Sequence, residues 1–168
     1  PEGSFSHLIT QMRFPGAEVS LRDNVGDVFA YIAANPAVLG IVPIENSSGG
    51  FIIDTVDCLV DARSGLTIFE ELTLDVKLAL LGRADEKITS IHSHAIPFFH
   101  CDEWLRANYP QAKRVPEPST AKAAAKAAAT PGAAAIGPRQ NAERHGLQVL
   151  HFPIAGETPN ITQFFLVG

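Results

Sequence analysis

Asn46, Ser47 and Ser48, followed by Gly49 and Gly50, place one amide, two hydroxyls and unhindered backbone N–H groups in five consecutive positions. Neutral donors of this kind can hold an anion without a buried counter-charge. The apolar run Val38-Leu39-Gly40-Ile41-Val42 ahead of them reads as a short buried strand, and a helical pattern starts near Ile53. A strand entering a glycine-rich turn that opens a helix aims N–H groups at the positive end of the helix dipole, where a carboxylate would sit. The same residues also suit an ordinary helix cap with a flexible turn, and on local pattern that plainer reading is the stronger. Hydroxyls stand at two other helix starts: Ser4 or Ser6 beside the Phe5, Leu8 and Ile9 stripe, and Ser119-Thr120 ahead of an alanine-rich stretch.

Other chemistry-bearing residues fit bland roles. His92, His94 and His100 span a strand and a helix, with no Cys or Asp set to complete a metal site. His7 and His151 complete no site by spacing. Ser47 lacks a nucleophile elbow and any triad order. Arg139, just past a strand end, reads as a solvated helix-start residue.

The elements that must position these groups alternate along the chain. A helix to about Met12 leads to a short strand, Val19–Leu21, and then to a helix from Asn24 with Val28, Phe29, Ile32 and Ala33 on one stripe, closed at Asn35-Pro36. Ile53–Ala62 forms the next helix, with Val56, Leu59 and Val60 inward and Ser64-Gly65 ending it. Leu66–Leu81 alternates over Leu72, Leu74, Val76 and Leu78 and is too long for one strand. It reads as strand, bend, strand, crossing from one lobe to another. A strand at Lys87–His92, a helix at Ala95–Asn108 and a strand at Lys113–Val115 follow. The alanine-rich helix runs to Thr130-Pro131-Gly132 with Lys122 and Lys126 on its solvated face. Then come a strand at Ala133–Ile136, a helix at Pro138–His145 with Gly146 as its C′ residue, a strand at Leu147–Phe152, the Gly156–Asn160 loop and a last strand, Thr162–Val167. This alternation predicts an α/β fold of two lobes with mostly parallel sheets and a ligand cleft between them. The lobes are residues 1–74 with 155–168, and residues 75–154.

At 168 residues the chain can bury a real core, and nearly half of it is apolar. No apolar run approaches the roughly 20 residues a membrane span needs. A net charge of −5 without any Lys/Arg cluster argues against nucleic acid and anionic membranes as partners. Cys58 and Cys101, far apart in helical patterns, fit reduced thiols and a cytoplasmic location. No signal peptide is visible, and the start at Pro1-Glu2-Gly3 reads as if an N-terminal strand had been trimmed.

Six motifs in order carry a family resemblance. They are Gly3-Ser4-Phe5-Ser6; the Val42–Gly50 turn with Thr55 and Asp57; Ser93-His94 with Cys101 and Trp104-Leu105; Ser119-Thr120-Ala121; Ala134–Gly137 with His145-Gly146-Leu147; and Asn160-Ile161-Thr162. Over essentially its whole length the chain resembles the catalytic domain of prephenate dehydratase. The resemblance implies two lobes like those of periplasmic binding proteins, and conversion of prephenate to phenylpyruvate for phenylalanine synthesis. It implies no metal or organic cofactor, a homodimer or higher assembly, and no ACT regulatory domain here. It places Thr162 at the departing hydroxyl. Ser4, Ser6, Asn46, Ser47, Ser48, Thr55, Ser93, His94, Ser119, Thr120, Gln163 and Phe164 become substrate-binding candidates.

The chain departs from the family pattern at four places. Thr-Arg-Phe becomes Thr162-Gln163-Phe164, a serine becomes Phe51, Pro-Gln after Ser93-His94 becomes Ala95-Ile96, and a histidine of the crossover strand falls near Leu78. If the lost arginine neutralises substrate, affinity drops and Gln163→Arg should raise catalytic efficiency; if it only braces the hinge, the change is tolerable. Two rival functions follow: a prephenate decarboxylase-like enzyme, and a silent module binding an aromatic amino or keto acid.

Overall fold

A computed structural model describes residues 1–61, 65–154 and 159–168. The expected helix end at 62–64 and most of the 156–160 loop lie outside the described residues. In chain order the elements begin α1 (Phe5–Arg13), α2 (Val25–Ala34), β1 (Gly40–Asn46), β2 (Gly50–Phe51), α3 (Ile53–Val60) and β3 (Ile68–Asp75). They continue β4 (Leu78–Gly82), β5 (Ser90–Ser93), α4 (Ala95–His100), α5 (Asp102–Asn108) and β6 (Lys113–Pro116). The last are α6 (Thr120–Ala129), β7 (Ala133–Gly137), α7 (Asn141–His145), β8 (Gln148–Ile154) and β9 (Ile161–Val167).

The chain forms two units. One holds Pro1, Phe5–Val76 and Asn160–Gly168; the other holds Glu2–Ser4 and Lys77–Pro159. The long alternating run does break into β3 and β4, with the passage between units at Val76 and Lys77. Glu2–Ser4, expected with the first lobe, belong to the second unit.

The first unit's sheet has the order β2-β1-β9-β3, and each pairing in it is antiparallel. The expectation of mostly parallel sheets fails here. Strand–helix alternation suggests a series of crossovers, but β1 and β2 form a hairpin and β9 inserts between β1 and β3 from far along the sequence. Phe29, Ile32, Val42 and Val167 build the core on one face, with Cys58 and Leu59 packed against it. The inward stripe of α3 is therefore Thr55, Cys58 and Leu59. Val60, expected inward, is 72% exposed because it lies about 100° around the helix from Leu59. Val19–Leu21 forms no strand; Leu21 is exposed, and its carbonyl accepts from Arg22.

The second unit's sheet, β6-β5-β7-β4-β8, is mixed. β6, β5 and β7 run parallel, whereas β4 pairs antiparallel with both β7 and β8. Ala123, Ala124 and Ala127 of α6 pack on Ala133 and Ala135 of β7 and on Ala79 and Leu81 of β4. Small side chains let the helix approach the sheet closely, so the alanine-rich stretch is core. The single helix expected at Ala95–Asn108 is two, broken at Cys101, whose φ of −99° and ψ of 14° lie off the helical well. The helix expected from Pro138 starts at Asn141, and the strand expected from Lys87 starts at Ser90.

Candidate active site

Asn46, the last residue of β1, lies opposite Thr162 of β9 in the antiparallel ladder. Its Oδ1 accepts from the N–H groups of Ser48 (2.9 Å) and Gly49 (3.0 Å). Only an oxygen can accept those bonds, so the amide orientation is fixed. Its Nδ2 then donates to Asn160 Oδ1 and to Thr162 Oγ1, both at 2.8 Å. Asn46 thus uses two donors and two acceptances, and Thr162, acting as acceptor, keeps its own proton to donate. Asn46 and Thr162 are 5% and 8% exposed, so this network sits in low dielectric where each bond is strong.

The turn after Asn46 is not a helix N-terminus. Residues 47–49 close the β1–β2 hairpin, and α3 begins only at Ile53, behind Ile52. The donors expected to meet an anion have other partners. Ser48 and Gly49 amides go to Asn46, while the Ser47 amide donates to Ile161 O (2.8 Å) and Ser47 Oγ accepts from Ile161 N (2.9 Å). The turn instead splices β1 to the start of β9. Thr55 is fully buried and donates to Pro43 O at 2.6 Å. Proline has no N–H for the ladder, the register shifts between Pro43 and Glu45, and Thr55 satisfies the carbonyl left there.

Strand alternation divides the closing motif. Thr162 and Phe164 share one face, and Gln163 lies on the other, in register with Glu45 and Thr73. Phe164 is 1% exposed and serves as packing. Ser6 is inside α1, where its carbonyl accepts from Thr10 Oγ1 (2.7 Å), so the cap role fails for it; Ser4 immediately precedes the helix. The apolar departures scatter. Phe51 is 62% exposed, Leu78 is buried core of β4, and Ile96 is half-buried.

In the second unit Ser93 ends β5, fully buried, and donates to Ile136 O of β7 at 2.9 Å. His94 caps α4, its Nδ1 accepting from Ile96 N at 3.4 Å. Burial lowers its pKa, which favours the neutral ring with the proton on Nε2. Ser119 caps α6 as expected, accepting from Lys122 N at 3.1 Å, while its carbonyl accepts from Ala123 N. The Thr120 and Ala121 amides are the remaining donors of that first turn. Thr120 is buried beside Gly137, where a Cβ would come within 3.1 Å of Thr120 Cβ. Ser93 and Gly137 end parallel strands flanking one another, so these residues share the carboxyl edge of that part of the sheet.

Several partnerships escaped the sequence. Asn160 joins Asn46, and its carbonyl accepts from Val76 N (2.6 Å); its place in an Asn-x-Thr run at a strand start was the available signal. His92 Nδ1 meets Glu117 Oε1 at 2.9 Å. His151, which spacing leaves without a partner, meets the Tyr109 hydroxyl at 3.1 Å. Arg139 is exposed and lies over the Phe152 ring. Among the described residues no three His, Cys, Asp or Glu side chains are grouped to hold a metal ion, and no helix is long and apolar enough to cross a membrane.

The family profile described as "Prephenate dehydratase" matches residues 1–168. A bifunctional chorismate mutase/prephenate dehydratase of Pseudomonas aeruginosa is 32% identical over 172 residues, covering 100% of this chain and 47% of its own. The corresponding Escherichia coli K12 protein is 34% identical over 177 residues, covering 100% and 45%. The crystal structure of prephenate dehydratase from Arthrobacter aurescens in complex with L-Phe is 30% identical, with a TM-score of 0.87 over 100% of this chain and 58% of that one. The chain spans about half the length of the curated relatives it matches.

Proposed function

Since this chain belongs to the prephenate dehydratase family, we propose that it converts prephenate to phenylpyruvate, carbon dioxide and water on the route to L-phenylalanine. The ring carboxylate leaves as carbon dioxide, the electrons of that C–C bond complete the aromatic ring, and the ring hydroxyl departs and takes up a proton from solvent to become water. A donor at the departing oxygen lowers the barrier by meeting charge as it develops. The observation that carries this reading is the bond from Asn46 Nδ2 to Thr162 Oγ1, which leaves the Thr162 hydroxyl as a donor. A threonine hydroxyl is too weak an acid to act alone, so its part is a positioned hydrogen bond.

In the second unit the first-turn amides of α6 at Thr120 and Ala121 suit a carboxylate, and a neutral His94 supplies an Nε2–H donor. Ser93 and Ser119 shape this edge through the bonds they already make, and Ser4 is assigned to the substrate. Thr55, Phe164 and the Asn46–Ser48 turn support the Thr162 network from behind. Unpaired Cys58 and Cys101 support a reducing, cytoplasmic setting. A homodimer or higher assembly is part of the proposal, and analytical ultracentrifugation tests it.

Purified protein incubated with prephenate should form phenylpyruvate, followed by absorbance and mass. A dihydro-hydroxyphenylpyruvate would identify a decarboxylase instead. Unchanged substrate with measurable binding would identify a silent module.

A further inference from the structure

Asn141 opens α7, is fully buried, and makes one conventional side-chain bond: Nδ2 donates to Gly3 O at 3.0 Å. Its Oδ1 is buried and accepts no hydrogen bond. That oxygen faces the Gly3 α-carbon so closely that a Cβ there would stand 2.3 Å from it, and Gly3 holds a φ of +75°. An orphaned carbonyl is costly to bury, so an asparagine at this place needs a compensating gain. The gain on view is the grip on Gly3. One turn further along the same helix, Arg144 Nη1 meets Glu2 Oε1 at 2.7 Å. α7 therefore holds Glu2 and Gly3 at two points.

A trans peptide directs its C=O and the next N–H to opposite sides. With Gly3 O anchored on Asn141, the Gly3–Ser4 peptide plane is set and the Ser4 N–H is directed away from the Asn141 amide. We infer that Asn141 is a positioning residue that orients Ser4 for the substrate. The inference rests on the assignment of Ser4 to prephenate made above. Asn141 itself touches no reacting atom; it acts through the Gly3–Ser4 peptide.

The test is a double-mutant cycle on the full chain with prephenate. Ser4→Ala and Asn141→Ala should each raise KM about tenfold with kcat nearly unchanged, as loss of uniform binding does. The double variant should be no worse than Ser4→Ala alone, because both remove the same contact. Asn141→Leu fills similar volume without donor or orphaned acceptor, and should reproduce the KM effect in a chain whose folding circular dichroism verifies. An unchanged KM in the Asn141 variants, or effects that add to that of Ser4→Ala, overturns the inference while leaving Ser4 in place. An unchanged KM in Ser4→Ala overturns both. If the unsubstituted chain forms no product, the proposed activity falls, and the same cycle read as prephenate Kd by calorimetry decides the inference separately.

Discussion

Thr162→Val changes one hydroxyl to a methyl at nearly constant volume. In the folded protein it leaves one Nδ2–H of Asn46 facing carbon, where an unsatisfied donor costs about 1–3 kcal/mol. The added buried methyl returns about 0.8 kcal/mol, so the net loss runs from near zero to about 2 kcal/mol. Against a typical stability of about 5–15 kcal/mol, on the order of 1% or less of the protein unfolds. Loss of a positioned donor at a developing oxyanion costs about 10²–10³-fold in kcat. Activity should therefore collapse while urea midpoints move modestly. Asn46→Asp sharpens the test. An aspartate still accepts the Ser48 and Gly49 amides but cannot donate, so Thr162 must turn its proton inward to the carboxylate. Turnover should fall as far as in Thr162→Val although Thr162 is intact, and Thr162→Ser should retain most activity. Phenylpyruvate formation under saturating prephenate is the assay. A kcat within about threefold of the unsubstituted protein for both Thr162→Val and Asn46→Asp would refute the donor argument.

Gln163→Arg should pair across the strand with Glu45 and add up to about 1 kcal/mol of salt-sensitive stability, absent when Glu45→Gln is also made. Because Gln163 faces away from Thr162, kcat/KM should stay nearly constant; a large rise would return that position to the substrate. Burial lowers the pKa of His94 and of His100, so the unfolded chain takes up their protons first as pH falls. Stability should be complete above the ordinary histidine value of about 6.5 and decline as pH drops through the lowered folded values. His94→Asn, a cap that does not titrate, should flatten the acid limb of a denaturation series, and an unaltered limb would contradict this. Burial pushes the Cys101 thiol up to about 12. Burial first, then Asp54, Asp57 and Asp61, raises that of Cys58. With iodoacetamide at neutral pH, mass spectrometry should find native Cys101 unlabelled and Cys58 slow, with both reacting in denaturant; prompt native labelling of Cys101 would count against this.

What the sequence determined by itself is local. The Asn24 and Ser119 caps, the left-handed Gly146 and the alternation Leu72-Leu74-Val76-Leu78 all stand in the structure. Each rests on contacts within about four residues or on the pleat of one strand, so the residue pattern suffices. Motif order was equally legible, because it carries family membership whatever the geometry. The tertiary structure alone decided which strands are neighbours and in which direction. A strand pattern reads the same for parallel and antiparallel partners, and nothing near Ile68 or Gly40 announces that β9 will lie between them. The same gap explains Asn46. Its local signals fit a helix cap, but partners 114 and 116 positions away claim its amide and turn a supposed anion cradle into the support for one hydroxyl. Gln163 shows the reverse case, in which a sequence neighbour of Thr162 is directed to the opposite face by the pleat once its strand has found its register.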